Sequence, residues 1–111
     1  NIKMLLRQAK TFNVKNLIVT SKKHYEILKK KNYNKNIKIY NNFLSFNKIF
    51  NSKIDYVMSS ITGIAGLEPT IKIIKHTKSI GIANKETIIC GWNLIIKQLK
   101  KKQYYFCTNR L

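Results

Sequence analysis

Apolar residues Ile2, Leu5, Leu6, Ala9 and Phe12 recur at helical spacing, and this predicts an amphipathic helix over residues 1–12. The run Asn16–Thr20 is short, β-branched and bounded by polar residues, as a buried strand should be. Ser21 then offers an N-cap for a second helix through "KKHYEILKKK", with Tyr25 and Leu28 inward. Asn36–Tyr40 reads as a strand and "FLSFNKIF" as a short helix. Asp55–Ser60 is the next strand, followed by the loop Ile61–Gly66. Pro69 suits the first turn of a helix whose stripe is Leu67, Ile71 and Ile74. "SIGIA" (Ser79–Ala83) is a further strand, and Ile88, Trp92, Ile95 and Leu99 mark a long helix ending in lysines. "QYYFC" closes the series as a last strand. Strands alternating with helices across short connections specify an α/β fold with a parallel sheet covered on both faces.

In such a sheet ligands bind beyond the carboxyl ends of the strands. Two loops hold those positions, "SSITGIAG" and "ANKE". Gly63 and Gly66 let backbone approach a ligand, although a glycine-bearing turn by itself is usually only a turn. The second loop is more specific. Asn84 can cap the helix that follows and Glu86 complements its dipole. Lys85 has no such explanation, because it places a cation at the positive end of a helix. Together the three suit a sugar, an amide and a phosphate.

Composition narrows the classes. At 111 residues, with 44% apolar and 11% aromatic content, the chain has the material for one modest core. Its net charge of +18 taken alone points to nucleic acid or an anionic membrane. Of its 22 basic residues, however, only Arg7 and Arg110 are arginine, the side chain suited to bidentate reading of bases and phosphates. The excess of Lys, Asn and Ile follows A- and T-rich codons, so most of the charge is expected on solvated positions, including the Lys runs near 29–31 and 100–102. Cys90 and Cys107 form no CxxC motif, which excludes a disulfide framework or zinc site of the usual kind. The acids Glu26, Asp55, Glu68 and Glu86 are too scattered for an acid/base pair or metal cage. His24 and His76 read as exposed helix residues without function, and Cys90 as core. No apolar run is long enough to span a bilayer, and the first residues show no signal-peptide pattern.

Residues 57–91, "VMSSITGIAGLEPTIKIIKHTKSIGIANKETIICG", resemble the 1-deoxy-D-xylulose 5-phosphate reductoisomerase family. Ile61, Gly63, Ala65, Gly66, Leu67, Pro69 and Thr70 fit the family's run V-x-A-I-x-G-x-A-G-L-x-P-T. Lys78, Ile80, Ala83, Asn84, Lys85 and Glu86 fit its G-K-x-I-x-L-A-N-K-E-S-L-V in register. "NIKMLLRQAKTFNVKNLIV" is similar to the helix and strand just after the family's cofactor fingerprint. Ser60, Glu68 and Thr77 depart from the pattern, where the family has Ala, an apolar residue and Gly.

The resemblance implies a partial, Rossmann-like, doubly wound parallel sheet lacking its first strand and the downstream catalytic domain. It implies NADPH-dependent reductive isomerisation to 2-C-methyl-D-erythritol 4-phosphate, a step of isoprenoid biosynthesis by the methylerythritol phosphate route. NADPH and a divalent metal (Mg or Mn) are the family's cofactors, a homodimer its usual assembly, and the bacterial cytoplasm or plastid stroma its location. Carried over by motif, Asn1, Asn84 and Glu86 are cofactor-binding and Lys85 is substrate-binding. No catalytic or metal-ligating residue is carried over, because the family's phosphate-cradling turn and its metal-binding P-V-D-S-E-H segment have no counterpart here.

The expected division is therefore a partial NADPH-binding domain over 1–102 and a divergent tail over 103–111. One permitted set of codons for the tail, read one base later, encodes Asn-Ile-Ile-Phe-Val-Pro-Ile-Asp, as a frame slip in the Lys100–Lys102 run would leave it. The chain reads as a piece of something longer, exposing strand edges and catalytically inactive by itself. Two other readings remain open from residues alone: a small basic nucleic-acid-binding protein, and a decayed relic that keeps the fold without binding NADPH.

Overall fold

A computed structural model describes residues 1–31, 35–100 and, in backbone, Phe106–Cys107. The chain divides into two compact units, Asn1–Ser45 and Phe46–Leu111.

The first unit opens with helix α1 (Ile2–Thr11). Its first turn is fixed by Asn1, whose side-chain oxygen accepts the Met4 amide at 3.1 Å. The helix ends where Asn13 takes φ 51°, a left-handed conformation that asparagine tolerates, and the Val14 amide returns to the Ala9 carbonyl at 2.8 Å. Strand β1 (Asn16–Ile18), helix α2 (Lys22–Lys31) and strand β2 (Lys38–Tyr40) follow. β1 and β2 pair in parallel, Asn16 opposite Lys38 and Ile18 opposite Tyr40. Ala9, Leu17 and Ile37 form the buried cluster, with Leu5, Leu6 and Ile39 packed around it. Leu28 of α2 is buried as its spacing predicts, whereas Phe12, which spacing puts on the inner stripe of α1, is exposed because the helix has already ended there. The predicted "FLSFNKIF" helix is a 3-10 turn at Phe43–Ser45, which closes this unit, and a separate α3 (Phe46–Ile49), which opens the next.

The second unit continues with strand β3 (Ile54–Ser59), a 3-10 turn (Ile64–Gly66) and helix α4 (Leu67–Ile74). Strand β4 (Thr77–Ile82), helix α5 (Lys85–Lys100) and strand β5 (Phe106–Cys107) complete it. Its sheet runs β3-β4-β5, all parallel, with Ile54 opposite Thr77, Ser59 opposite Ile82 and Ile80 opposite Phe106. Parallel neighbours need crossovers, and α4 and α5 supply them. The last strand forms inside "QYYFC" as expected; the remainder of the 103–111 tail, with Lys101 and Lys102, lies outside the described residues.

Architecture is thus α/β, and the parallel strands alternate with helices as the pattern specifies. Among the described residues they form two separate parallel sheets, of two and three strands, and no strand joins them.

Several positions face differently from their predicted side. The buried row of α5 is Thr87, Gly91, Ile95 and Leu99, while Trp92 is 39% exposed and Cys90 is exposed. Packing at Gly91 explains the rotation: a Cβ there would run into Leu67 Cδ1, so the two helices meet at the glycine. On α4, Thr70 and Ile73 are buried with Ile74, and Ile71 is only half-buried. His76 is not a surface residue of a helix. It sits half-buried in the turn before β4, its ring 6.1 Å from that of Phe46 and 5.8 Å from that of Phe50.

Candidate functional site

β3 and β4 lie side by side and run the same way, so the loops leaving their carboxyl ends are neighbours. The ladder carries on one step past the strands, where the Ala83 amide donates to the Ser59 carbonyl at 2.9 Å. Asn84 follows and turns its side chain inward, leaving it 5% exposed. Its Nδ2 donates to the Ile61 carbonyl and, at 2.7 Å, to the Gly63 carbonyl. Its Oδ1 accepts the Thr87 amide at 3.1 Å, which caps α5. Both amide hydrogens and one lone pair of the oxygen are thereby used within the protein.

The other end of the loop is anchored from α4. Thr70 Oγ1 donates to the Gly66 carbonyl at 2.6 Å. That uses its one hydrogen, so in the 2.5 Å contact between the two hydroxyls Ser59 is the donor. Thr70 and Ser59 are both buried. Sequence reasoning singles out neither. Thr70 is visible there only as the last letter of a motif, and Ser59 carries no signal.

The two glycines have different reasons. Gly63 sits at φ 71° with open space where a Cβ would be, so it is needed for its conformation. Gly66 has an ordinary helical backbone, but a Cβ there would strike the Ile61 carbonyl and lie 2.5 Å from Asn84 Nδ2. It is needed for close approach. Thr87, fully buried, brings its hydroxyl to the same spot, where it has no hydrogen-bond partner among the described residues.

On the outer side of this arrangement are Ile61, Ile64, Ala65 and Lys85, all exposed, with Glu86 half-buried. Among the described residues neither Lys85 nor Glu86 makes an ion pair or a side-chain hydrogen bond. The ion pairs lie elsewhere: Lys72 with Glu68 at 2.5 Å along α4, and Lys78 with Asp55 at 2.6 Å across β3 and β4. The Lys78 ammonium, by hydrogen bond and then by charge, holds the Asp55 carboxyl below its ordinary value.

Of the four residues assigned to the site, then, the structure brings Asn84, Lys85 and Glu86 together beside the Gly63–Gly66 loop. Asn1 belongs to the first unit. There it caps α1 and lines a shallow groove of about 340 Å³ at the carboxyl end of β1, together with Met4, Gln8, Val19 and His24. An open-sided loop, a helix N-terminus and a free cation fit an anionic dinucleotide and a phosphorylated substrate. A divalent ion is another matter: among the described residues no three His, Cys, Asp or Glu side chains converge to hold one. No helix among them is long and apolar enough to cross a membrane.

Comparison with known proteins identifies the family. The family model of 1-deoxy-D-xylulose 5-phosphate reductoisomerase matches residues 1–91. The enzyme of that name from Pelagibacter ubique is 57% identical over 108 residues, 96% of this chain and 28% of the relative. That from the Wolbachia of Culex pipiens is 35% identical over 103 residues, 92% of this chain and 26% of the relative. A crystal structure of a reductoisomerase with fosmidomycin and magnesium superposes with a TM-score of 0.82 at 25% identity, covering 97% of this chain and 27% of the other. The Zymomonas mobilis enzyme in complex with NADPH shares the fold at the same TM-score and 24% identity, covering 97% of this chain and 29% of that one. The chain therefore spans little more than a quarter of the length of these relatives. With both loop motifs seated at the ends of adjacent parallel strands and the family's pattern matched through residue 91, the chain belongs to the 1-deoxy-D-xylulose 5-phosphate reductoisomerase family.

Proposed function

We propose that this chain is the NADPH-side portion of a reductoisomerase acting on 1-deoxy-D-xylulose 5-phosphate, with residues 1–102 as part of the cofactor domain. The observation that carries the reading is the Asn84-Lys85-Glu86 triplet at the start of α5, held against the Gly63–Gly66 loop at the carboxyl ends of β3 and β4.

When bound, NADPH supplies the hydride. The chain's own residues do the holding. The exposed backbone of the loop and the first turn of α5 present amides to the dinucleotide. Glu86, partly buried beside them, takes the cofactor side, and Asn1 is assigned to the cofactor on the motif alone. Lys85, exposed and without a partner among the described residues, offers its ammonium to the substrate phosphate, an anion that a mobile point charge suits. The described residues do not hold the magnesium seen with a relative, so no step is assigned through it, and the 111-residue chain alone is expected to turn over nothing.

A chimera tests this. Residues 1–100 replace the matching segment of the Pelagibacter ubique enzyme, and NADPH oxidation is followed with 1-deoxy-D-xylulose 5-phosphate. The expected result is activity within about tenfold of the parent, cut a further hundredfold or so by Lys85→Ala through loss of a charge-assisted phosphate contact. A folded chimera that leaves NADPH unoxidised refutes the reading.

A further inference from the structure

We infer that His24 reads the 2′-phosphate of NADPH and so sets the preference of this chain for NADPH over NADH. The role deepens the reading of function just given, in which the chain takes NADPH, and rests on it. No sequence motif points to His24, which composition leaves as a surface residue without function.

The shallow groove of the first unit is lined by α1, by Val19 just past the carboxyl end of β1, and by the first turn of α2. Its apolar wall includes Met4, Leu5 and Val19, and its polar groups are Asn1, Gln8 and His24. An apolar wall with a few placed polar groups is the make-up of a ligand site, and the carboxyl end of a strand is where an α/β sheet takes a nucleotide. Met4 is 55% exposed, so a purine laid on it would remove apolar surface from water and meet its thioether. The side chains of Gln8 and His24 bond no protein group among the described residues, so both are available to a ligand.

Charge decides which nucleotide. A carboxylate at such a strand end accepts a bond from the free 2′-hydroxyl of NADH and repels a phosphate there, whereas a cationic or donor side chain favours the phosphate. In the first unit the one acidic side chain is Glu26, and it does not line the groove. The residues leaving β1 are instead Thr20-Ser21-Lys22-Lys23-His24. Lys22 and Lys23 are exposed and outside the groove wall, so they attract any polyanion without selecting among them. His24 is the member that lines the wall, and its imidazole N–H can donate to a phosphate oxygen held in the groove.

Two nucleotides that differ only in this phosphate test the role without the nicotinamide: adenosine 2′,5′-bisphosphate and adenosine 5′-phosphate. Each is titrated into the 111-residue chain at physiological salt and followed in ¹H–¹⁵N spectra. The bisphosphate is expected to bind about tenfold more tightly, moving the amides of residues 2–8 and 19–24. His24→Ala, a change at an exposed side chain, should cut that gap to about twofold with the 5′-phosphate affinity little altered, and His24→Arg should restore it. The proposal is overturned if the two nucleotides bind alike, if His24→Ala leaves the gap intact or weakens both equally, or if the shifts spread over the lysine-bearing surface instead of the groove. Titration with NADPH tests the reading of function separately, through the amides of residues 61–66 and 85–87. No response there counts against that reading, while the groove amides and the two adenosine phosphates still decide the role of His24.

Discussion

Asn1 and Asn84 occupy the same formal position in two helices, and comparing them shows how context assigns a residue its work. Each precedes a helix and accepts the amide three residues on, at 3.1 Å in both cases. Asn1 does so in the open, and among the described residues its side-chain oxygen bonds only the Met4 amide. Asn84 does so in the interior, with its two donors on carbonyls of a distant loop. Sequence chemistry is identical and the energetic stakes are not, because a buried polar group that loses its partner costs far more than one that water can satisfy.

Replacing each with alanine should break that comparison widest open. Asn84→Ala gives up a cap and leaves two carbonyls unpartnered, about 3 kcal/mol in all, while Asn1→Ala gives up an exposed cap for about 1 kcal/mol. Chemical denaturation reads both: Trp92 on α5 reports the second unit by its fluorescence, and circular dichroism reports α1. Equal losses would mean that the ties from Asn84 to the loop contribute nothing.

The paired glycines give a smaller contrast inside the same loop. Gly66→Ala forces a methyl against the Ile61 carbonyl and the Asn84 amide, and should cost about 2–3 kcal/mol as overpacking. Gly63→Ala meets open space and is expected to cost about 1–2 kcal/mol, from a positive-φ backbone nearly confined to glycine. Thermal denaturation of the two variants should rank them in that order.

The smallest effect belongs to the surface pair Asp55 and Lys78, which bridges β3 and β4 but is open to water. The folded carboxyl titrates below its ordinary value of 3.8, so its contribution is present above that pH and is lost as the pH falls through the lowered value. Asp55→Asn should therefore differ slightly from the parent at neutral pH and not at all in acid well below 3.8. Unfolding curves at the two conditions check the sign, and raised salt should shrink the neutral difference.

Much of this molecule is legible in its amino-acid order. The helices at Ile2–Thr11, Lys22–Lys31 and Lys85–Lys100 lie within a residue or two of where periodicity puts them, since a one-sided apolar stripe is a local property. Strands β3 and β4 are equally plain from their β-branched runs. The positions that face the other way share a cause. Spacing turns Trp92 and Cys90 inward, yet Leu67 packing on Gly91 decides which row of α5 faces α4. His76 sits among lysines in the sequence and against Phe46 and Phe50 in the structure, because a turn brings it there.

The candidate site divides the same way. The sequence by itself marks the Gly63–Gly66 loop and the Asn84-Lys85-Glu86 triplet, and shows that a lysine at a helix start needs a reason beyond capping. What Asn84 touches is decided only by the parallel register of β3 with β4, which brings Ile61 and Gly63 alongside it across more than twenty residues of chain. Local composition can specify a cap, since the acceptor and the amide lie three residues apart. It cannot specify a bond whose two ends meet only after two strands have paired.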